Sequence, residues 1–130
     1  MIVNGEAPSY KIYEDEKTIA LLDIHPVVPG HTLIITKDPN SKNILDIDTE
    51  NWSAMCETTR KMAIVLEKAM RCDGVNVIMN NRQQAGQLVD HPHIHLIPRY
   101  KGDGFNLWPH GSYREGEAEQ VLERIQSALQ

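Results

Sequence analysis

Hydrophobic residues follow two patterns along the chain, short runs and a helical repeat. Short apolar runs bounded by turn residues are typical of β-strands, and four of them occur at residues 10–13, 18–24, 31–36 and 75–79. Between the last two runs, apolar residues recur at helical spacing. This predicts a long helix that begins after Asp48 or Thr49 and ends before Asp73-Gly74. Its stripe comprises Trp52, Met55, Cys56, Met62, Ala63, Leu66, Ala69 and Met70.

Two further elements complete the prediction. A fifth strand is expected from about Leu88 to Arg99, and a short amphipathic helix from Ala118 to Leu129. Strands, one long helix, more strands and a tail helix, in that order, indicate an α+β fold with a five-stranded antiparallel sheet. A chain of 130 residues is long enough for one domain with a core, so residues 1–130 are predicted to form a single unit.

Composition narrows the classes of function. The net charge of −5 provides no general basic field for binding a nucleic acid. No run of 18 apolar residues exists, so we expect a cytoplasmic protein without a membrane partner. The two cysteines, Cys56 and Cys72, form no Cys-x-x-Cys pair, and both are predicted to lie in the core.

Three histidines in strict alternation are the strongest chemical feature. His91, His93 and His95 occupy every second position of the predicted strand, so their rings are expected on one face, about 6.6 Å apart along the chain. Such a row favours one of two functions. The imidazoles could bind a metal such as zinc, with His31 or Asp23 as further ligands. Alternatively, one neutral imidazole could act as a nucleophile.

A nucleophilic histidine needs two kinds of help. Its second ring nitrogen requires an acceptor that fixes the tautomer, such as a backbone carbonyl or another histidine. An anionic substrate also needs local donors, and the preceding loop offers Asn80, Gln87 and backbone amides near Gly86.

These residues resemble a known family. The segment Ala85-Gly86-Gln87-Leu88-Val89-Asp90-His91-Pro92-His93-Ile94-His95-Leu96-Ile97-Pro98-Arg99 is similar to the signature of the histidine triad (HIT) superfamily, in its nucleotide-binding hydrolase branch. The resemblance extends to Gly5–Tyr10, Leu22-Asp23-Ile24 and Pro29–Leu33. It covers residues 3–104 and leaves 105–130 as a variable C-terminal tail.

The resemblance implies a role for each histidine. His93, the middle residue of the triad, would attack the α-phosphorus of a nucleotide and form a covalent nucleotidyl-histidine, which water then hydrolyses. His91 and His95 would flank it, and His31 would complete the hydrogen-bonded set.

The resemblance also implies a nucleotide site and an assembly. Asp23 would bind the ribose hydroxyls, while Leu22 and Ile24 would line a base pocket. Asn80 and Gln87 would contact the phosphate and leaving group, near Gly86. Family members form homodimers with a ten-stranded sheet, so the helical stripe could serve the dimer as well as the monomer core.

Two departures from the family pattern concern zinc. The N-terminus, Met1-Ile2-Val3, lacks the Cys-x-x-Cys of many microbial members, and the loop Lys37–Asn40 lacks their additional histidine. Together they predict that the chain binds no metal, and attack by histidine needs no cofactor. Pro92 is a third departure, because the family more often has Val, Leu or Phe at this position. Proline cannot donate a hydrogen bond to a sheet ladder.

The resemblance therefore implies a homodimeric purine-nucleotide hydrolase that acts on nucleoside phosphoramidates or dinucleoside polyphosphates and releases a nucleoside monophosphate. Two alternatives stay open: a non-catalytic nucleotide-sensing or partner-binding dimer, and a histidine-liganded zinc hydrolase. The tail around Trp108 is expected to shape the leaving-group side.

Overall fold

The computed structural model describes residues 10–129. Residues 1–9 and 130 lie outside the described part, and with them most of the Gly5–Tyr10 segment that carries part of the family resemblance. The elements are β1 (Tyr10–Glu14), β2 (Thr18–Leu22), β3 (Thr32–Thr36), α1 (Thr49–Met70), β4 (Gly74–Ile78), β5 (His93–Arg99) and α2 (Glu117–Ala128), with a short 3₁₀ turn at Gln83–Ala85.

The strands form one sheet in the order β1-β2-β3-β5-β4, and every neighbouring pair is antiparallel. The first three strands follow one another as a meander. The last strand, β5, then lies between β3 and β4, with His95 opposite Leu33 on one side and Ile78 on the other. The predicted five-stranded antiparallel α+β fold is confirmed.

Alternation along β5 separates a covered face from an open face. Ile94, Leu96 and Pro98 are buried, whereas the alternate positions are half-buried. Helix α1 contacts β2, β3, β4 and β5 and covers the first of these faces. The core between helix and sheet is formed by Ala20, Ile34, Met55, Met62, Leu66, Ile94 and Leu96. His93 and His95 therefore lie on the face that α1 does not cover.

Helix α1 begins and ends where its sequence predicts. The Asp48 carboxylate accepts a hydrogen bond from the Asn51 amide at 2.8 Å, which satisfies one of the free N–H groups of the first turn. The helix ends at Arg71, whose φ of 51° lies in the left-handed region.

The apolar residues of α1 lie on two faces. Met55, Met62 and Leu66, which belong to the predicted stripe, are buried in the core of their own chain, whereas Ile64 and Val65, which lie outside that stripe, are exposed. The predicted burial of Cys72 is confirmed, but that of Cys56 is wrong, because the Cys56 side chain is exposed. Cys56 follows Met55 by one residue, a turn of about 100° that carries it off the covered face.

Strand β5 is shorter than predicted, since it begins at His93 rather than near Leu88. Pro92 immediately precedes the strand and is fully buried. The missing N–H of Pro92 therefore costs no bond in the sheet ladder. His91 consequently lies in the connection before the strand and is not a third residue of the same ladder.

Leu122 and Ile125 of helix α2 are exposed to solvent, and so is Leu129, which follows its last residue. No helix within residues 10–129 has the length and apolar character needed to cross a membrane.

Adjacent residues of α1 test the position of the core. We expect Met55→Ala to lower the free energy of unfolding by about 2–5 kcal/mol, because it leaves a cavity between helix and sheet. Cys56→Ala, one residue along, should change it by less than about 0.5 kcal/mol. Chemical denaturation of the two variants measures both values, and comparable losses would show that the face of α1 is assigned incorrectly.

Candidate active site

The sheet brings two of the triad rings into direct contact. His93 and His95 are separated by one residue of β5 and share its open face. Their ring centroids are 5.1 Å apart, with the planes at 70°. His31, which directly precedes β3, places its ring centroid 5.2 Å from that of His95. Three of the four predicted histidines therefore form a continuous cluster.

Backbone contacts define the tautomers of His31 and His95. The amide of Val27 donates to Nδ1 of His31 at 3.0 Å, so in the neutral ring the proton of His31 is on Nε2. That Nε2–H donates to Nδ1 of His95 at 2.9 Å. The Nδ1 of His95 is then an acceptor, and the proton of a neutral His95 is on Nε2.

A second pair of backbone contacts defines His93 and His91. Nδ1 of His93 lies 2.7 Å from the carbonyl oxygen of His91. A carbonyl only accepts, so Nδ1 carries the proton and Nε2 of a neutral His93 has a free lone pair. Nε2 of His91 lies 2.7 Å from the carbonyl oxygen of Thr36 and donates to it in the same way. The ring of His91 is thus bonded to the end of β3, and its carbonyl, not its ring, contacts His93.

The electrostatic environment keeps two of the rings neutral. Burial lowers the pKa of His31, against the opposing effect of the Asp23 carboxylate. Burial also lowers the pKa of His95 to about 4, and the positive charges that His93 and His31 would carry act in the same direction. At neutral pH both rings are uncharged. The bond from His31 requires an unprotonated Nδ1 on His95, and the Val27 amide requires an unprotonated Nδ1 on His31.

Asp23 lies immediately beyond β2 and beside His31. Its carboxylate Oδ2 is 3.5 Å from Nε2 of His31, and its side chain is 18% exposed. The other oxygen, Oδ1, accepts the amide of His25 at 2.9 Å, which fixes the carboxylate at the edge of the cluster. Ile24 is exposed. The structure therefore brings Asp23 to the histidines with one oxygen available to a ligand.

Asp23, His31 and His95 form the only candidate metal site among the described residues. Their possible ligand atoms lie within 4.8 Å of one another. The hydrogen bonds argue against a metal there. The Val27 amide occupies Nδ1 of His31, so a neutral His31 holds its proton on Nε2, the atom that would face the ion. A ligating Nε2 would require that proton to be lost altogether. The donor set does not fit a metal.

The pairing of β2 with β3 places one residue of the predicted base pocket, Leu22, on the other face of the sheet. Leu22 pairs with Thr32 and shares its face with Ala20, which belongs to the helix-covered core. The predicted place of Leu22 beside the site is therefore wrong. Leu21 and Leu33 lie on the opposite face instead. Leu33 is paired with His95, and Leu21 is paired with Leu33 one strand further away. Their alternation with Asp23 and His31 in the sequence was the signal that could have identified them.

The loop between β4 and β5 also departs from the prediction. Gln87 is buried, and each of its side-chain hydrogen-bonding positions already has a protein partner. The amide of Gly86 donates to the carbonyl of Gln83 at 3.0 Å. Neither group is free to bind phosphate in this conformation, which corrects their predicted direct contact. Asn80 is half-buried beside Gly86, and its carboxamide has no hydrogen bond recorded within residues 10–129.

A groove of about 600 Å³ lies over the edge strand β4 and the neighbouring part of β5. It is lined by Val27, Asn76, Val77, Ile78, Ile97, Arg99 and residues 105–110, including Trp108. Arg99 fixes its far wall, because its guanidinium binds both oxygens of Asp103 and the carbonyl of Phe105. These bonds hold the pKa of Asp103 far below its usual range. Most of the groove is apolar.

Comparisons with known proteins identify the family of the chain. The family model of the HIT domain matches residues 4–102. An adenosine 5'-monophosphoramidase of Candida albicans is 38% identical over 115 residues, which cover 83% of this chain and 74% of that protein. An adenylylsulfatase of Arabidopsis thaliana is 34% identical over 134 residues, covering 98% and 66%. A crystal structure from Streptococcus mutans superposes with a TM-score of 0.90 at 38% identity, covering 99% of this chain and 82% of that one.

The environment of His95 predicts how it titrates. The unfolded chain binds a proton at this position below about pH 6.5, whereas the folded protein binds it only near pH 4. Lowering the pH through this interval should therefore favour unfolding. NMR of the imidazole resonances, assigned with His95→Gln, should show His95 unchanged from pH 8 to pH 5. A midpoint at or above the ordinary histidine value would contradict the buried neutral ring.

Proposed function

The chain belongs to the HIT family, and from this membership and the site geometry we propose that it hydrolyses nucleotide conjugates at the α-phosphate. The substrate class is a purine nucleoside monophosphate joined to an amine or a second phosphate. The two relatives described above are named for their substrates, adenosine 5'-monophosphoramidate and adenylyl sulfate. In both compounds adenosine monophosphate is bonded to a leaving group.

One observation carries this proposal: the free lone pair on Nε2 of His93. The carbonyl of His91 holds the proton of that ring on Nδ1 at 2.7 Å. A neutral imidazole with one fixed proton is a nucleophile that needs no separate base to activate it. The tautomer is built into the backbone before any substrate binds.

The first chemical step follows from that arrangement. Nε2 of His93 attacks the α-phosphorus, a P–N bond forms, and the bond to the leaving group breaks with its electron pair on the departing nitrogen or oxygen. The modified ring is positively charged, and the His91 carbonyl stabilises this charge through Nδ1–H. The proton on Nε2 of His95 passes to the departing nitrogen or oxygen, so the amine or phosphate leaves in its protonated form.

The second step regenerates the enzyme. Water attacks the phosphorus of the nucleotidyl-histidine and gives one proton to Nε2 of His95, which replaces the proton that His95 passed to the leaving group. The P–N bond breaks, and its electron pair returns to Nε2 of His93. In this proposal Asp23 and Ile24 bind the nucleoside. We assign the leaving group to the apolar groove beside Trp108. The Asn80 carboxamide would supply an uncharged donor to the phosphate.

The proposed assembly is a homodimer. Ile64 and Val65 on α1 and Val77 on the edge strand β4 are exposed apolar side chains of two neighbouring elements. Within residues 10–129, β4 is an edge strand of the sheet, so a second copy could pair with its backbone and give the ten-stranded sheet that the family resemblance implies.

Removal of the nucleophile is the primary test. We expect His93→Ala to lower kcat for adenosine 5'-monophosphoramidate by about 10³-fold or more, with the dissociation constant for adenosine monophosphate changed only severalfold. His25→Ala, which removes an exposed histidine beyond Asp23, should retain full activity. Steady-state kinetics and calorimetric titration measure the two quantities. Undiminished turnover by His93→Ala would exclude the mechanism, and binding without turnover by the wild type would identify a non-catalytic sensor.

Chelation separates this mechanism from zinc hydrolysis. Because the attacking atom is a histidine nitrogen, activity should be unchanged after dialysis against a strong chelator and unchanged again when zinc is added. The measurement combines the rate before and after dialysis with elemental analysis of the purified protein. Stoichiometric zinc with a rate that falls on chelation and returns with the metal would favour the zinc hydrolase.

A further inference from the structure

Gln87 is a buried side chain with no unused hydrogen-bonding position. Its Oε1 accepts from the amide of Arg82 at 2.7 Å and from Nδ2 of Asn43 at 3.1 Å. Its Nε2 donates to the carbonyls of Lys42 at 2.6 Å and Val89 at 3.0 Å. A carboxamide offers two donors and two lone pairs, so the set is complete.

The orientation of this carboxamide is fixed by its partners. The backbone amide of Arg82 can only donate, so the atom that it contacts is the oxygen of Gln87. The carbonyls of Lys42 and Val89 can only accept, so the other atom is the nitrogen. The side chain thereby joins two loops that are distant in sequence, one after β3 and one before β5. The amide of Ile44, which donates to Oδ1 of Asn81 at 2.9 Å, is a second connection between them.

The bonds of Gln87 continue to the nucleophile. The carbonyl of Val89 accepts both Nε2 of Gln87 and the amide of His91, the latter at 2.8 Å. The carbonyl of His91 in turn accepts Nδ1–H of His93. Pro92, buried between the two histidines, restricts the backbone at this point. The direction of the His91 carbonyl therefore depends on the backbone that Gln87 holds.

From this chain of contacts we infer that Gln87 is a positioning residue, which fixes the His91 carbonyl and so keeps the proton of His93 on Nδ1. The inference rests on the proposed nucleophilic role of His93. It replaces a direct contact of Gln87 with phosphate, for which the side chain would have to break one of its four internal bonds.

The test compares Gln87→Glu with Gln84→Glu. The first variant preserves the shape but removes both N–H donors to the carbonyls of Lys42 and Val89. The glutamate that replaces them has no donor when ionised and one O–H when protonated, so at least one of these two bonds is lost. The second adds the same charge at an exposed position of the same loop and breaks no side-chain bond recorded within residues 10–129. We expect Gln87→Glu to lower kcat by about 10- to 100-fold, with KM and the dissociation constant for adenosine monophosphate changed less than threefold. Gln84→Glu should stay within twofold of wild type in all three.

Nitrogen-15 NMR of the His93 ring provides a readout that does not depend on turnover. In the wild type, Nδ1 should have the shift of a protonated nitrogen and Nε2 that of an unprotonated one. In Gln87→Glu the two shifts should move toward each other as the second tautomer is populated. If the wild type shows this tautomer but hydrolyses no nucleotide conjugate, the proposed function fails while the positioning role is still measured by the shifts.

Three results would overturn the inference. The first is a tenfold rise in KM and in the dissociation constant with kcat and the His93 shifts unchanged, which would indicate a direct phosphate contact. The second is no change in Gln87→Glu, and the third is an equal change in Gln84→Glu. If Gln87→Glu does not fold, Asn43→Ala removes one donor to Oε1, and it should lower kcat severalfold with the same movement of the His93 shifts. Unchanged kcat and shifts in Asn43→Ala would then contradict the role.

Discussion

The arrangement of the site depends on two backbone groups whose hydrogen-bonding roles cannot be reversed. The amide of Val27 can only donate, and it determines the proton position on His31 and then on His95. The carbonyl of His91 can only accept, and it determines the proton position on His93. Side-chain partners could exchange donor and acceptor roles, but these groups cannot. The cluster therefore has one arrangement of protons when all its rings are neutral.

The sheet makes these contacts possible. β5 lies between β3 and β4, and His95 is paired with Leu33 of β3. His31 lies two residues before Leu33 and therefore on the same face, so the two histidines meet although they are far apart in the sequence. The helix covers the opposite face and fills the core with the alternate residues of β5. One strand thus supplies apolar residues to the core and histidines to the open face, and the chemistry is held on a rigid element.

Much of the fold could be predicted from the sequence because its signals are local. The cap at Asp48 and the apolar period of α1 define the helix, and alternation defines the strands. The start of β5 and the exposure of Cys56 could not be predicted, because each depends on which neighbour covers a given position. The face of Leu22 is a matter of strand register, and a shift of one residue reverses the face.

Only some of the residues of the candidate site can be predicted from the sequence. His31, His93, His95 and Asp23 could be predicted, since alternation and the family resemblance select them, and the structure places them together. The partners that fix their protons are backbone atoms of Val27, Thr36 and His91, and side-chain chemistry contains no signal for them. The internal role of Gln87 was also hidden, because a glutamine that binds phosphate and one that joins two loops look the same in sequence.

The central claim is that His93 forms a covalent bond to phosphorus, and the stereochemical course of the reaction tests it most directly. The measurement uses a nucleoside phosphorothioate conjugate of known configuration, hydrolysed in isotopically labelled water. Attack by Nε2 of His93 and then by water inverts the phosphorus twice, so the account predicts overall retention. Overall inversion would show a single displacement by water and would contradict a nucleotidyl-histidine intermediate.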